Sequence, residues 1–360
     1  MSDVSLIENP EDAGMEPLCQ ALSERAAQTD QSGDWPAEQL TLCAQAGVYR
    51  WFLDPAYGGL GWSEADLMRG YLRLAGSCLT TAFVITQATG ALRRIATWAS
   101  DDLRERLLSS LLSGETFTTL GISHLTTSRR HLGRPALRAE ETADGFRLDG
   151  FSPWVTGGLA ADWIVTGAQL DDGRQILTVV PTDLEGVECD AEQQLVALTA
   201  SKTGAVQVRD VEISRDWLLA GPVENVIASA TGASTGGLQT SALAIGLAES
   251  AVAFVEGESE KRNELVLPAE ALRREHDELE VDLLSLAGGN PACTSEDLRA
   301  RANSLALRSA QAALSAAKGT GYVQGHPASR WCRESLFFLV WSCPAPVMAS
   351  NLCELAGISD

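Results

Sequence analysis

The strongest constraint on this chain is a change of periodicity that happens twice. Up to about residue 114 apolar residues recur at helical spacing; from about 115 to 221 they alternate in short runs; after 221 the helical spacing returns. A stripe repeating every 3.6 residues and an alternation repeating every 2 cannot share one element, so the pattern predicts an α part, a β part and a second α part. The chain has 360 residues, more than one hydrophobic core usually organises, which agrees with three units at 1–114, 115–221 and 222–360.

In the first unit the runs 36–46, 63–75 and 101–112 begin at Pro, Ser or Asp and stop close to a Gly, as helices do. Between the first two lies Asp54-Pro55-Ala56-Tyr57-Gly58-Gly59-Leu60-Gly61, whose proline and glycines require a loop. In the second unit 136–141, 146–155, 163–170 and 175–181 read as strands, with turns at Asp144-Gly145 and Asp172-Gly173, and 205–211 repeats the alternation. Short strands without intervening helices predict an antiparallel β domain, a small barrel or sandwich. In the third unit 238–262 is apolar and Ala-rich, with charges gathering at its end. Leu272, Leu279, Leu283 and Leu286 line one face of the next helix, and Thr294 is the expected N-cap of a long helix ending at Lys318-Gly319.

Charge narrows the function. The chain carries 48 acidic and 27 basic residues, a net charge of −21 spread along its length, which argues against a protein that grips nucleic-acid phosphates. The N-terminal residues show no basic segment followed by an apolar one, and no stretch approaches the roughly 18–20 uninterrupted apolar residues of a membrane span. Eight cysteines without a CxxC pair read as free thiols of a reducing cytoplasm. Four histidines without HxxxH or HExxH spacing predict no metal site.

Particular residues then carry a resemblance. Asp54-Pro-Ala-Tyr-Gly-Gly-Leu-Gly61 is similar to the Pro-Glu-x-Tyr-Gly-Gly-x-Gly loop of the acyl-CoA dehydrogenase family. Asp149-Gly-Phe-Ser-Pro-Trp-Val-Thr-Gly157 resembles its Asn-Gly-x-Lys-x-Trp-Ile-Thr-Asn signature. Phe254-Val-Glu-Gly-Glu-Ser-Glu-Lys-Arg262 resembles a family helix ending Glu-Arg. Gly319-Thr-Gly-Tyr322, His326-Pro327 and Arg330-Trp-Cys-Arg-Glu334 resemble its Gly-x-Gly-Tyr, Pro-x-x-Arg and Arg-Asp run. The blocks fall in order with almost no gaps from about residue 20 to 357. The resemblance implies an α+β fold: an N-terminal helical domain, a middle β-barrel and a C-terminal four-helix bundle. It also implies a homodimer or homotetramer holding FAD, an acyl-CoA-like substrate and an electron-transfer partner.

By the same resemblance, Trp154 and Thr156 contact the flavin, where an indole stacks on the ring and a hydroxyl bonds its polar edge. A core Trp and a surface Thr would satisfy the same residues. Ser123 and His124 fall in the loop set against the flavin pyrimidine. His124 is either a donor or an acid or base near neutral pH. Arg262 matches the arginine that reaches a pyrophosphate across a subunit interface, and Gly319 and Gly321 would admit a neighbouring subunit's cofactor. A solvated helix end and a helix C-cap are the competing readings. Lys318 stands where the family has a Gly.

The catalytic carboxylate is missing. Removing a thioester α-proton requires a poised base. Ser342 occupies the usual position of that Glu, and Gly236 and Gly237 occupy the alternative one on an earlier helix. His124, Glu249 and Glu334 are the candidate substitutes. Three functions stay open: an FAD-dependent dehydrogenase with a relocated base, a related flavin monooxygenase or oxidase, and a non-catalytic relative that keeps the fold for assembly or ligand binding.

Overall fold

A computed structural model of the chain describes residues 5–126, 135–190, 193–229 and 237–358. Six helices precede the first strand: α1 (Met15–Ser32), α2 (Ala37–Gln45), α3 (Val48–Trp51), α4 (Glu64–Ser77), α5 (Leu79–Trp98) and α6 (Asp101–Ser113). Their ends follow local chemistry. The Ser63 and Ser100 hydroxyls accept from the backbone N–H of Asp66 and Leu103, and acidic residues fill both first turns, where they meet the positive end of the helix. The glycine-rich loop opens with Asp54, whose carboxylate accepts from the Ala56 N–H at 2.8 Å. A Cβ on Gly59 would lie 1.9 Å from the Leu53 carbonyl oxygen, so no other residue fits that turn. The periodicity did not mark α5, because nearly every position of this helix is buried and no polar face gives it a stripe.

The middle of the chain forms β1 (Thr118–Gly121), a short α7 (Ser123–Thr126), β2 (Leu137–Glu141), β3 (Gly145–Val155), β4 (Trp163–Gln169), β5 (Gln175–Pro181), β6 (Val187–Cys189), β7 (Gly204–Ser214) and β8 (Leu218–Val223). They make one eight-stranded sheet in the order β6-β7-β3-β2-β4-β5-β8, with β1 added against β4. Both expected Asp-Gly turns join antiparallel neighbours, β2 to β3 and β4 to β5. The purely antiparallel expectation is corrected at β4, which runs parallel to β1 throughout and to β2 at Arg138–Gln169. β1 emerges from the helical part and lies directly along β4, so these two strands point the same way. The long β3–β7 pair shifts register between Leu148 and Gly150 and again between Ser152 and Val155. The second shift is a bulge that redirects Trp154.

The last part contains α8 (Val226–Ser229), α9 (Leu238–Ser259), α10 (Val266–Ala287), α11 (Ser295–Gly321), α12 (Pro327–Ser335) and α13 (Ala345–Leu355). The Thr294 hydroxyl caps α11 by accepting from the Asp297 N–H at 3.1 Å. The expected stop at Lys318-Gly319 coincides with a kink, after which a last turn carries the helix on to Gly321: Lys318 leaves helical geometry, at φ 55° and ψ −147°. This conformation favours glycine. α9 is long and apolar enough to cross a bilayer by composition alone, but here its apolar surface is buried by α4, α10 and α11. One core therefore runs through helices from both ends of the chain, while the sheet keeps a second core around Phe146, Leu148, Ile164 and Ile213.

Candidate functional site

Where the two helical parts meet the sheet they leave a cavity of about 820 Å³. The sheet contributes Leu120, Ile122, Ser123, Trp154 and Thr156 to its wall. α4 and α5 contribute Met68, Tyr71, Thr86, Thr89 and Gly90, and the C-terminal part adds Thr240, Phe337, Trp341 and Ser342. Phe337 stacks on Trp341 and meets Phe83 edge-on, so the side next to Ser342 is aromatic.

Three sequence-predicted residues come together on the sheet side. Trp154, on the β3 bulge, is half exposed to the cavity. Thr156 is buried; its hydroxyl shares a 3.0 Å hydrogen bond with Thr203, and its carbonyl accepts from the Thr119 hydroxyl at 2.7 Å. Ser123 is different, because its Oγ is buried and has no hydrogen-bond partner among the described residues. A buried hydroxyl left unpaired is costly, and Ser123 is one of the residues that line the cavity.

The three candidate bases lie elsewhere. His124 follows Ser123 but its ring turns into the sheet, where Nε2–H donates to the Gly167 carbonyl at 2.7 Å. Its Nδ1 is buried without a partner, and burial pushes the imidazole below its ordinary range. This neutral ring ties α7 to β4 and is not part of the cavity wall. Glu249, on α9, is held by Arg273, whose guanidinium also binds Glu256. Glu334, on α12, is buried with the Arg330 Nε at 3.6 Å; burial raises its carboxyl. Neither carboxylate lines the cavity, and each already faces an arginine.

Ser342 does line the cavity, on backbone at φ 45°. Gly237 also lines the cavity, whereas Gly236 falls outside the described residues. Arg262 donates to Glu258 at 2.5 Å and to the Ala316 carbonyl at 2.7 Å, bracing the end of α9 against α11 away from the cavity. Gly319 and Gly321 are also outside it. A Cβ on Gly319 would touch nothing within 4 Å, while one on Gly321 would meet the Ala317 Cβ at 2.6 Å.

Sequence reasoning missed the charged residues of the wall. Glu64 is the one carboxylate lining the cavity among the described residues, and its Oε1 is 3.1 Å from Arg93. Arg333 also lines it and grips Asp30 through two nitrogens, at 2.9 and 2.5 Å. Arg94 is 7% exposed, donates to the Gly90 carbonyl at 2.8 Å and lies over the Trp98 ring. The adjacent Arg93-Arg94 inside an otherwise apolar segment was the available signal.

Comparisons with known proteins agree with this architecture. Residues 16–115 match the family model "Acyl-CoA dehydrogenase, N-terminal domain". A probable acyl-CoA dehydrogenase, YngJ of Bacillus subtilis (strain 168), is 20% identical over 336 residues, covering 87% of this chain and 88% of that protein. The structure of a glutaryl-coenzyme A dehydrogenase in its glutaryl-CoA complex superposes with a TM-score of 0.82 at 16% identity, over 97% of this chain and 96% of that one. KijD3, solved with FMN and a dTDP-linked amino sugar, gives a TM-score of 0.73 at 18% identity over 96% and 93%.

Proposed function

The chain belongs to the acyl-CoA dehydrogenase family, and from that premise we propose that it is an FAD-dependent oxidoreductase acting on the α,β bond of an acyl thioester. The observation that carries this reading is the sheet-side wall, which Ser123, with its buried and unpartnered hydroxyl, shares with the half-exposed Trp154 and the buried Thr156. That wall suits the ring of a flavin: a broad apolar face for stacking and an unsatisfied donor for a polar edge. A bound flavin supplies a two-electron acceptor at this place. Ser123, Trp154 and Thr156 would hold its ring. Arg262, Gly319 and Gly321 lie outside the cavity, so their part in binding requires a second copy of the chain, as a homodimer or homotetramer.

The chain's own groups must accept the proton released when the double bond forms. With Ser342 and Gly237 at the cavity wall, Glu64 is the carboxylate that remains there among the described residues. It sits at the start of α4, partly exposed, so a proton it takes can pass to bulk water. Arg93 fixes its orientation. We assign Glu64 the proton-accepting role. A second reading is favoured by one observation: a serine and a glycine stand where a base is expected, which suits a flavoprotein reaction that needs no α-proton transfer.

The purified protein should be yellow, or take up added FAD, and anaerobic addition of an acyl-CoA should bleach it. Replacing Glu64 by Gln should slow that bleaching by roughly 10²–10⁴-fold while flavin stays bound. A protein that neither carries nor takes up flavin defeats both readings. Flavin that resists every acyl-CoA but is bleached by a nicotinamide cofactor through a reductase supports the second.

A further inference from the structure

Outside the cavity, Arg299 on α11 is a buried cation that no described carboxylate accompanies. It is 4% exposed, and its Nε and Nη1 are buried without hydrogen-bond partners among the described residues. Its Nη2 donates to the Trp341 carbonyl at 3.0 Å, and the guanidinium lies over the Phe338 and Trp341 rings. These contacts fix it without neutralising it. Asn303, one turn along the same helix, donates to the Phe338 carbonyl at 3.1 Å, and its Oδ1 bonds nothing among the described residues. Burial lowers the guanidinium to about 10, which leaves it charged at neutral pH. A buried charge without a counter-ion is costly, and two free guanidinium nitrogens make this corner ready for an anion.

The titratable group on which this charge acts is the Cys343 thiol. Cys343 is half-buried, two residues beyond the carbonyl that Arg299 holds, and the Asn351 amide on α13 donates to its sulfur at 3.9 Å. Burial raises the thiol and the Arg299 charge opposes that rise, so the sulfur gains from Arg299 only when it is negative. Cys189, Cys293 and Cys332 lack this setting. The arginines acting on Cys293 and Cys332 already have carboxylates, Arg301 with Asp282 and Arg333 with Asp30, and Cys189 meets the charge of Asp190. A sulfenic acid is more acidic than its parent thiol, so oxidation is the change that makes this sulfur an anion near neutral pH.

We propose that Cys343 is an oxidative modification site, where hydrogen peroxide converts the thiol to a sulfenate that the free Arg299 nitrogens and the Asn351 amide hold as an anion. In that step the peroxide O–O bond breaks and an S–O bond forms. The sulfur loses two electrons, the other peroxide oxygen leaves as water, and the sulfenic proton passes to solvent. Ser342, the preceding residue, lines the cavity, so the modified sulfur stands one residue from that wall.

The test is to oxidise the purified, reduced protein with equimolar hydrogen peroxide, then add dimedone, which traps sulfenic acids, and read every cysteine peptide by mass spectrometry. The Cys343 peptide should carry at least about tenfold more adduct than those of Cys189, Cys293 and Cys332. Arg299→Met should lower the Cys343 adduct about tenfold and leave the other peptides unchanged, and Arg299→Lys should restore part of it. If Arg299→Met does not fold, Asn351→Ala removes the other donor and should lower the adduct several-fold. Labelling spread evenly over the four half-buried cysteines would overturn the proposal. So would a Cys343 adduct that survives loss of Arg299 or, where that variant is unfolded, loss of Asn351. The peroxide is added and no turnover is read, so failure here leaves the flavin reading standing, and a protein without flavin leaves this test intact.

Discussion

A buried imidazole can satisfy itself in a neutral form at little cost, but charging it inside a sheet is expensive. His124 is held this way, with Nε2–H on the Gly167 carbonyl and Nδ1 unpartnered. Its folded value lies below the ordinary 6.5, so the unfolded chain takes up the proton first as pH falls. The His124 contribution is thus complete above 6.5 and is lost as pH drops from there through the folded value. Glu334 acts with the opposite sign. Its carboxyl is raised, so the folded state binds that proton first, and stability rises as pH falls through its folded value toward 4.5. A difference between variants separates the two. Chemical denaturation of the parent protein and of His124→Gln should show a gap in stability that shrinks on acidification below 6.5, by up to ~1.4 kcal/mol per pH unit. Parallel profiles would mean that His124 takes no part in the linkage.

At the scale of elements, the crossing of α4 and α9 decides how closely the two helical parts approach. Gly246 faces the α4 backbone, where an added Cβ would lie 2.6 Å from the Leu72 carbonyl oxygen; Gly76 answers it from the other side. The Ser250 hydroxyl donates to the Gly76 carbonyl across the same crossing. Helix propensity alone predicts that Gly246→Ala gains about 1 kcal/mol. The contact is with backbone and cannot swing away, so we expect a loss of about 1–3 kcal/mol in denaturant melts, with Gly246→Val worse. A stabilised Gly246→Ala would show that the helices are not in such close contact. This crossing also marks the limit of what the sequence could tell. α4 and α6 were legible because Ser63 and Ser100 cap them and acids follow. α5 was not, since it follows α4 directly through Cys78 with no breaker and no polar face. β1 is four residues long, and its parallel partner is distant in the chain, so nothing local announced it. In the site, matched spacing picked out Trp154 and Thr156, whereas the bulge that aims Trp154 depends on pairing with β7. Glu249 looked available because Arg273, distant in the chain, becomes its neighbour only after folding, whereas Arg330 stands one helical turn from Glu334 and that pairing was legible. Arg94 was passed over for the converse reason: a sequence does not show that a guanidinium is buried with its Nε unpartnered among the described residues.

For the whole molecule, the net charge of −21 and the apolar C-terminal surface act against each other. Met348, Leu352 and Leu355 follow one another at helical spacing on α13 and are all exposed, and Val340, just before that helix, is 76% exposed. If the chain forms the homodimer or homotetramer proposed above, such an exposed apolar face is the expected contact surface between copies. Two copies of so acidic a chain repel one another, and salt screens that repulsion while leaving apolar burial intact. Association should therefore tighten as salt is added, the reverse of what an interface built on ion pairs would do. A two-fold contact uses every residue twice. Burying a leucine is worth about 1.5–3 kcal/mol, so Leu352→Glu should weaken a dimer by at least ~3 kcal/mol, or more than about a hundredfold. Sedimentation velocity across a salt series measures both effects. A parent protein that stays monomeric at micromolar concentration, or a Leu352→Glu variant that associates as well as the parent, would remove α13 as the contact. The flavin reading can be tested in the same samples. If Arg262 and Gly319 serve a neighbour's cofactor, the dissociated variant should lose flavin along with its partner, whereas a cofactor held by one chain alone would remain bound to the monomer.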